Sequence, residues 1–391
     1  MGDGPVVLHI SPSWLPQTQT WLHALIAEQQ RLGVSAHVVC QQTENRDQFP
    51  IRNLHSLEDA GAAYRFWDRG VRKLGWRHHL AFTVRAGKQA GATWVHSHFG
   101  DTGWHNLETA RRLRAPHAIT FYGRDVNMLP RDPLWRTRYL DLFRQGDLFF
   151  CEGPHMARCL QQLGCPADKI VVHHIGVRMA DIPFRPRQWT PGVPLRILMA
   201  CAFREKKGVP YALEMIGRLQ HEVPLEVTII GGAGPGYSLR EVNWIHEIIA
   251  KHRLESKIRM MGFQPYSVLW EEAYRHHLFL SPSVTASSGD TEGGAPVSII
   301  EMAATGMPIL STTHCDIPEV MRPETDRFLA PEREVDALLA LAQGLIRDWG
   351  ALGEPLLRVR RHLEREFDLT AQARKMMACY GSAGRGAVPP A

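Results

Sequence analysis

No run among the 391 residues approaches the roughly 20 consecutive apolar positions that a membrane-spanning helix needs. The opening Met1-Gly2-Asp3-Gly4-Pro5 lacks a basic region followed by a long apolar run, so no signal peptide is expected. The seven cysteines are scattered, odd in number and form no C-x-x-C pair. That speaks against a disulfide framework and for a reduced compartment, hence a cytoplasmic protein or one peripheral to the inner face of a membrane. There is no Asp-x-Asp, and the histidines lack zinc-type spacing, so no metal ligands are read from the chain. The turn after the first expected strand lacks G-x-G-x-x-G, which counts against a dinucleotide site there. A net charge of +5 falls short of the Lys/Arg stripe of a dedicated nucleic-acid binder, and no nucleic-acid partner is expected.

What is present is an ordinary globular composition, 44% apolar and 22% charged, in a chain long enough for two domains. Strands are expected at 6–10, 36–40, 94–96, 118–121, 148–151 and 170–173, with helices at 21–32 and 154–163. Residues 181–194 hold four prolines and no helical period, which reads as an interdomain linker centred on 184–194. The alternation then restarts with strands at 196–201, 226–230, 257–261, 278–281 and 308–311. Helices follow at 333–347 and, as two segments, over 354–380, before a Gly/Pro/Ala-rich tail. The fold class is α/β, with two doubly wound Rossmann-like halves, 1–183 and 195–366.

The chemistry concentrates in Gly289-Asp290-Thr291-Glu292-Gly293-Gly294-Ala295-Pro296-Val297-Ser298, continuing through Glu301 to Gly306. A helix is expected over 296–305, with Pro296 at its first position, Gly306 as its stop, and Ile299, Ile300, Ala303 and Ala304 on a buried side. Its start leaves the Val297 and Ser298 amides for an anion, and Glu301 shares their face. Amides for a phosphate beside a carboxylate for hydroxyls suit a nucleotide joined to a sugar. Arg204-Glu205-Lys206-Lys207-Gly208 places cations where a diphosphate would lie. Gly231-Gly232 turns sharply after a strand, and Gly262-Phe263 offers backbone groups and an aromatic face to a base.

In the first half, Gln17, Thr18 and Thr20 suit hydroxyl binding, with helix capping by Thr18 or Thr20 as the equal alternative. Two polar clusters, His96 to Asp101 and Tyr122-Gly123-Arg124-Asp125, fall beyond strand ends, where open α/β sheets gather ligands. The stretch 65–88 carries seven Lys/Arg against a single Asp68, with Trp67 and Trp76 among them. Such a stretch is either a solvated face or a surface that rests on an anionic membrane.

Taken together, Val95 to Gly100, Thr120 to Asp125, His173 to Val177, Glu205 to Gly208, Ile230 to Pro235, Gly289 to Glu301 and Thr313 to Val320 resemble glycosyltransferase family 4, the retaining GT-B sugar-nucleotide transferases, nearest the exopolysaccharide and colanic-acid type. The resemblance implies a GT-B architecture with two domains facing a cleft and C-terminal helices, about 367–381, crossing back to the first. It implies a nucleoside-diphosphate sugar as donor, a glycan or lipid-linked glycan as acceptor, and no cofactor or metal. Glu301 would bind the ribose, Lys207 with Arg204 the diphosphate, and Val297 and Ser298 the phosphate or sugar, with Gly293, Gly294, Ala295, Pro296, Gly232, Gly262 and Phe263 also on the donor side. Glu292 would lie against the donor sugar, Asp125 and His98 near the reacting carbon, and Gln17, Thr18, Thr20, Tyr122 and Gly123 on the acceptor side. The chain departs from the pattern in three places. Glu292 and Glu301 are separated by eight residues rather than seven, Cys201-Ala202 replaces the usual Gly-Arg pair so that Arg204 must substitute, and Tyr122 stands where many relatives carry His. A nucleotide-sugar-binding protein without catalysis, and a nucleotide-sugar epimerase, are the alternatives.

Overall fold

The structure is a computed structural model that describes residues 4–16, 19–74, 79–234, 239–322 and 324–382. Gln17, Thr18, Trp76, Arg77, Pro235, Gly236 and the tail from 383 onward lie outside the described residues. The chain divides into two compact units, one running to Gly176 and resuming at Leu369, the other Val177–Asp368.

In the first unit, β1 (Val6–Ile10), β2 (Ser35–Cys40), β3 (Leu54–Ser56), β4 (Trp94–His98), β5 (His117–Thr120), β6 (Leu148–Cys151) and β7 (Ile170–Val172) form one parallel sheet ordered 3-2-1-4-5-6-7. In the second, β8 (Leu195–Ala200), β9 (Leu225–Ile230), β10 (Ile258–Gly262), β11 (Leu278–Ser281), β12 (Ile309–Thr312) and β13 (Leu329–Ala330) follow the same plan in the order 10-9-8-11-12-13. The strands are near-continuous apolar runs because helices cover both faces. Leu198, Ile229, Phe279 and Leu310 are each at most 1% exposed, and Ile197 pairs with Leu278 across the centre. In each sheet the chain reverses its winding between the first strand and the fourth, β1/β4 and β8/β11. In doubly wound sheets the crevice at the carboxyl ends of such a strand pair gathers ligands, and the loops that leave those strands line it.

One expectation changes. The proline-rich stretch 184–194 is packed into the second unit rather than free: Trp189 is buried, faces Trp349 with ring centroids 5.6 Å apart, and donates to the Val193 carbonyl. The first unit recovers the chain instead at Leu369–Ser382, a helix bound by Thr370 to Glu28 at 2.5 Å and by the Trp94 indole to the Tyr380 carbonyl at 3.0 Å. The basic stretch falls on two helices, Ala62–Lys73 and Leu80–Ala90.

The loops over the second crevice fit only because two positions lack side chains. Gly231 has φ +110° and a Cβ there would meet the Cys201 carbonyl oxygen at 2.1 Å; at Gly208, with φ +63°, it would meet that of Pro282 at 1.9 Å. Gly192, at φ +90°, has open space around it. Gly231→Ala should therefore cost about 3 kcal/mol or more through strain plus a backbone clash, against about 1 kcal/mol for Gly192→Ala from strain alone. Thermal unfolding midpoints of the two variants check this, and equal shifts would remove the packing argument.

Candidate active site

At the carboxyl end of β8 the chain runs through Phe203 and Arg204 into a 3-10 turn, Glu205–Lys207, and Gly208 starts the helix Val209–Leu219. At the end of β11 a long loop leads to the helix Val297–Ala304, with Pro296 as its N-cap rather than its first residue. Positive and negative side chains from these two loops meet. Arg204 reaches Asp290 at 2.5 Å, and Lys206 reaches Asp290 at 3.3 Å and the Thr291 carbonyl at 2.7 Å. The Lys207 ammonium lies 2.8 and 2.9 Å from the two Glu292 oxygens, and Ser283 Oγ donates to the first of them at 2.9 Å. Three cations against two carboxylates leave the cluster one positive charge in excess, half out of water.

Glu292 is oriented from behind. Its backbone N–H donates to His314 Nε2 at 3.1 Å, which fixes the remaining imidazole proton on Nδ1, 2.6 Å from Glu332. Burial pushes the Glu292 carboxyl up, but Lys207 and Lys206 outweigh it and hold the group below the ordinary carboxylate range. Glu301 has the opposite environment. It is 7% exposed, forms no ion pair among the described residues, and accepts a hydrogen bond from the Tyr266 hydroxyl. Burial pushes it up to about 7, against the pull of that bond. Ile299, Ile300, Ala303 and Ala304 are buried as expected, and so is Met302. Gly293, with φ +83°, is buried and its N–H donates to Thr291 Oγ1, while Gly294 is buried and Ala295, Val297 and Ser298 are half-buried. Phe263, after β10, is 60% exposed. Gly232 and Gly262 have φ of +152° and +67°.

The first unit presents its own set at the ends of β1, β4 and β5. His98 is fully buried within a hydrogen-bonded chain: Tyr122 Oη to His98 Nδ1 at 2.7 Å, His98 Nε2 to His9 Nδ1 at 3.1 Å, and His9 Nε2 to Gln29 Oε1 at 3.0 Å. Burial drives His9 down to about 3 and His98 well below its ordinary value, so both rings are neutral. The Gln29 acceptor then places a proton on His9 Nε2, the next on His98 Nε2, and leaves His98 Nδ1 to accept from Tyr122. Their nitrogens lie within 4.8 Å of those of His96, a grouping of metal-ligand type. His96 is itself bonded to Tyr380 at 2.6 Å and Thr120 at 2.7 Å.

Asp125 is held by the backbone of its own turn and of the neighbouring loop. Its carboxylate accepts from the Gly100, Tyr122 and Gly123 backbone N–H groups at 2.9 to 3.0 Å, and burial pushes it up to about 6. It braces the turn that presents Tyr122, and Gly123 takes φ +116° there. Tyr122 is half-buried with Trp21 against it, ring centroids 4.2 Å apart. Thr20 is the first residue of the helix Thr20–Arg31, whose N-cap is Gln19, so Thr20 does not cap it. The sequence reading missed Tyr266, Asp290 and His314 on one side. On the other it missed a cavity of about 260 Å³ lined by Ser11, Gln41, Phe82, Thr102, His105 and Asn106. His314 lies in a stretch that the family resemblance covers, which was the available signal.

Residues 18–181 match the family model described as Glycosyltransferase Family 4, and residues 194–348 that described as Glycosyl transferases group 1. The putative colanic acid biosynthesis glycosyltransferase WcaL of Salmonella typhimurium is 32% identical over 72% of this chain and 68% of its own. The amylovoran biosynthesis glycosyltransferase AmsK of Erwinia amylovora is 30% identical over 69% and 65%. Among solved structures, Anabaena HepE in complex with UDP superposes with a TM-score of 0.76 at 14% identity, covering 96% of this chain and 99% of that one. A glycosyltransferase from Rickettsia africae gives 0.77 at 16% identity over 99% and 100%. These likenesses establish the fold, two Rossmann-like units of GT-B type.

The ion pair of Lys207 with Glu292 makes a stability prediction. A carboxylate held below its ordinary value contributes stability above its unfolded pKa and loses it as pH falls. Lys207→Ala should therefore lower stability by about 2 kcal/mol at pH 8 and by clearly less near pH 4. Denaturant unfolding at the two pH values checks it, and an equal loss at both would show that the charge of Glu292 is not what Lys207 holds.

Proposed function

The chain belongs to glycosyltransferase family 4, and from that premise we propose that it moves a sugar, with retention, from a nucleoside diphosphate to a hydroxyl of a lipid-linked exopolysaccharide glycan. That it is a glycosyl-transferring enzyme follows from the family; the donor, the stereochemistry and the residue roles are the proposal. The observation that carries it is one sheet edge holding three cations, a helix start and a buried carboxylate that, among the described residues, forms no ion pair. In this reading Lys207, Arg204 and the amides of Val297 and Ser298 take the diphosphate, Glu301 takes the ribose hydroxyls, and Phe263 faces the base. Glu292 lies against the sugar. The acceptor oxygen forms its bond to the anomeric carbon as the bond from that carbon to the diphosphate breaks, and the departing oxygen takes the acceptor's proton on the same face. The cations stabilise the charge that develops on the diphosphate, which is the main catalytic contribution. Colanic acid and amylovoran in the relatives' names support an exopolysaccharide product, and UDP in the HepE complex supports a nucleotide ligand.

A lipid-linked acceptor is supported by the helix Ala62–Lys73. Tyr64 and the buried Asp68 face inward, where Asp68 meets His79 at 2.8 Å. Phe66, Trp67 and, just beyond the helix, Leu74 are 78, 51 and 70% exposed. They recur at helical spacing on the outer side, flanked by the exposed Arg65, Arg69 and Lys73. An exposed apolar stripe with basic flanks is the arrangement that rests on an anionic bilayer.

Two experiments test the reading. Because Glu301 sits at about 7, its carboxylate accepts two ribose hydroxyls only above that pH, so nucleoside-diphosphate affinity should fall as pH drops through 7. Glu301→Gln should weaken binding about tenfold at pH 8 and flatten the profile, since one lost charged hydrogen bond is worth about 1.5–3 kcal/mol. Calorimetry with UDP, GDP and ADP reads both, and an unchanged affinity would remove Glu301 from the site. Separately, Arg69→Gln/Lys73→Gln should reduce flotation with vesicles containing phosphatidylserine by roughly 10- to 30-fold, at about 1 kcal/mol per cation, and equal flotation would leave the helix without a membrane role.

A further inference from the structure

The opposite edge of the second unit's sheet, where β8 and β11 begin, gathers more cations than carboxylates, with Glu226 and Glu272 the acidic residues lining it. β8 spans six residues, about 20 Å, so this edge is one strand length from the cluster around Lys207. A cavity of about 210 Å³ opens here, lined by Arg185, Arg187, Arg196, Tyr274, His276 and His277. A second, of about 730 Å³, shares Arg196, Tyr274 and His276 and extends to Lys257 and Arg259. Arg185 and Arg187 lie over one ring, their guanidinium carbons 5.2 and 4.9 Å from the Tyr274 centroid. Arg187 donates only to neutral acceptors: the carbonyls of Arg185, Ala273, His276 and Thr305, and the Thr305 hydroxyl. Among the described residues, none of Arg185, Arg187 and Arg196 forms an ion pair. The nearby carboxylate of Glu272 is already taken by Arg259 at 2.5 Å and Arg275 at 3.2 Å.

The donors here outnumber their acceptors. His277, 5% exposed, accepts the Arg196 backbone N–H at Nδ1 at 3.0 Å, which puts the imidazole proton on Nε2. The Arg196 Nη2 group, also a donor, stands 3.0 Å from that same Nε2. In this tautomer both groups are donors, and among the described residues the buried Arg196 Nε has no hydrogen-bond partner. Surrounding cations keep a second proton off the ring: burial first, then Arg196, His276 and Arg187, lower His277 to about 4.

We propose that this edge is a second anion site, taking a phosphate-bearing ligand whose oxygens accept from Arg196, His277 and the Arg185 guanidinium. A tetrahedral oxyanion supplies the several acceptors that the two opposed donors lack, and a guanidinium fork matches it in two bonds. Inorganic pyrophosphate and the phosphate head group of an anionic lipid share that chemistry. The site does not rest on the donor reading, because it uses none of the same residues.

Calorimetry on the full chain at fixed ionic strength tests it with sodium pyrophosphate. The Lys207→Ala variant should retain pyrophosphate binding at this edge, whereas Arg185→Gln/Arg196→Gln should weaken that binding at least tenfold. Arg185→Gln alone, a change at an exposed side chain, should weaken it about threefold. Removal of two cations elsewhere on the unit, Arg361→Gln/Arg365→Gln, should leave it unchanged. A parallel arm uses phosphatidic acid vesicles against phosphatidylcholine, in a Phe66→Ser/Trp67→Ser background that silences the first unit's helix. Loss in the soluble arm assigns a free anion, and loss in the vesicle arm alone assigns a lipid head group. The proposal is overturned if the wild-type edge binds neither probe, if Arg185→Gln/Arg196→Gln behaves as wild type in both arms, or if the control pair weakens binding equally.

Discussion

The ion pair between Lys207 and Glu292 ties together the two loops on which the second crevice depends. One leaves the first strand of its sheet and the other the fourth, and the charge contact adds to the close approach of Gly208 to Pro282 and to the Val284 N–H bond to the Lys206 carbonyl. The contact also sets the electrostatics. Asp290 and Glu292 neutralise two of three cations, so Arg204, Lys206 and Lys207 can stand together half out of water and still present an excess positive charge. In the proposed reaction the same Lys207 divides its hydrogen bonds between Glu292 and a diphosphate, so an incoming anion meets a side chain already held in place.

Glu301 illustrates how a buried acid is kept for a neutral partner. A cation beside it would hold it ionised but would compete with hydroxyls for its oxygens. Here burial raises it and Tyr266 supplies one hydroxyl, which shows that the carboxylate accepts the kind of group a ribose would offer. In the first unit the histidines solve a different problem. Neutral rings linked from Gln29 to Tyr122 fix where each proton sits, so the Tyr122 hydroxyl proton is committed to His98.

Much of this was legible because it is local. Short apolar runs and helical periods located the central strands of both sheets, with ends displaced by one or two residues, but not the short edge strands Leu54–Ser56 and Leu329–Ala330. Pro296, the apolar run after it and Gly306 marked the helix that carries Glu301. What was not legible depends on distant partners. Residues 184–194 look like a free linker until Trp189 finds Trp349 and Arg187 finds carbonyls at 273, 276 and 305. Tyr266 reaches Glu301 across 35 residues of chain and His9 reaches His98 across 89. The three backbone N–H groups that Asp125 accepts from, at 100, 122 and 123, were likewise not legible, because one of them comes from a loop 25 residues away.

The most direct test of the central claim is hydrogen–deuterium exchange of the intact chain with and without UDP, GDP or ADP. The account predicts that whichever nucleotide binds will slow exchange in peptides covering 204–208 and 289–301 together, since both loops close on one diphosphate and its ribose. Protection confined to other segments, or protection of one of these loops without the other, would contradict it.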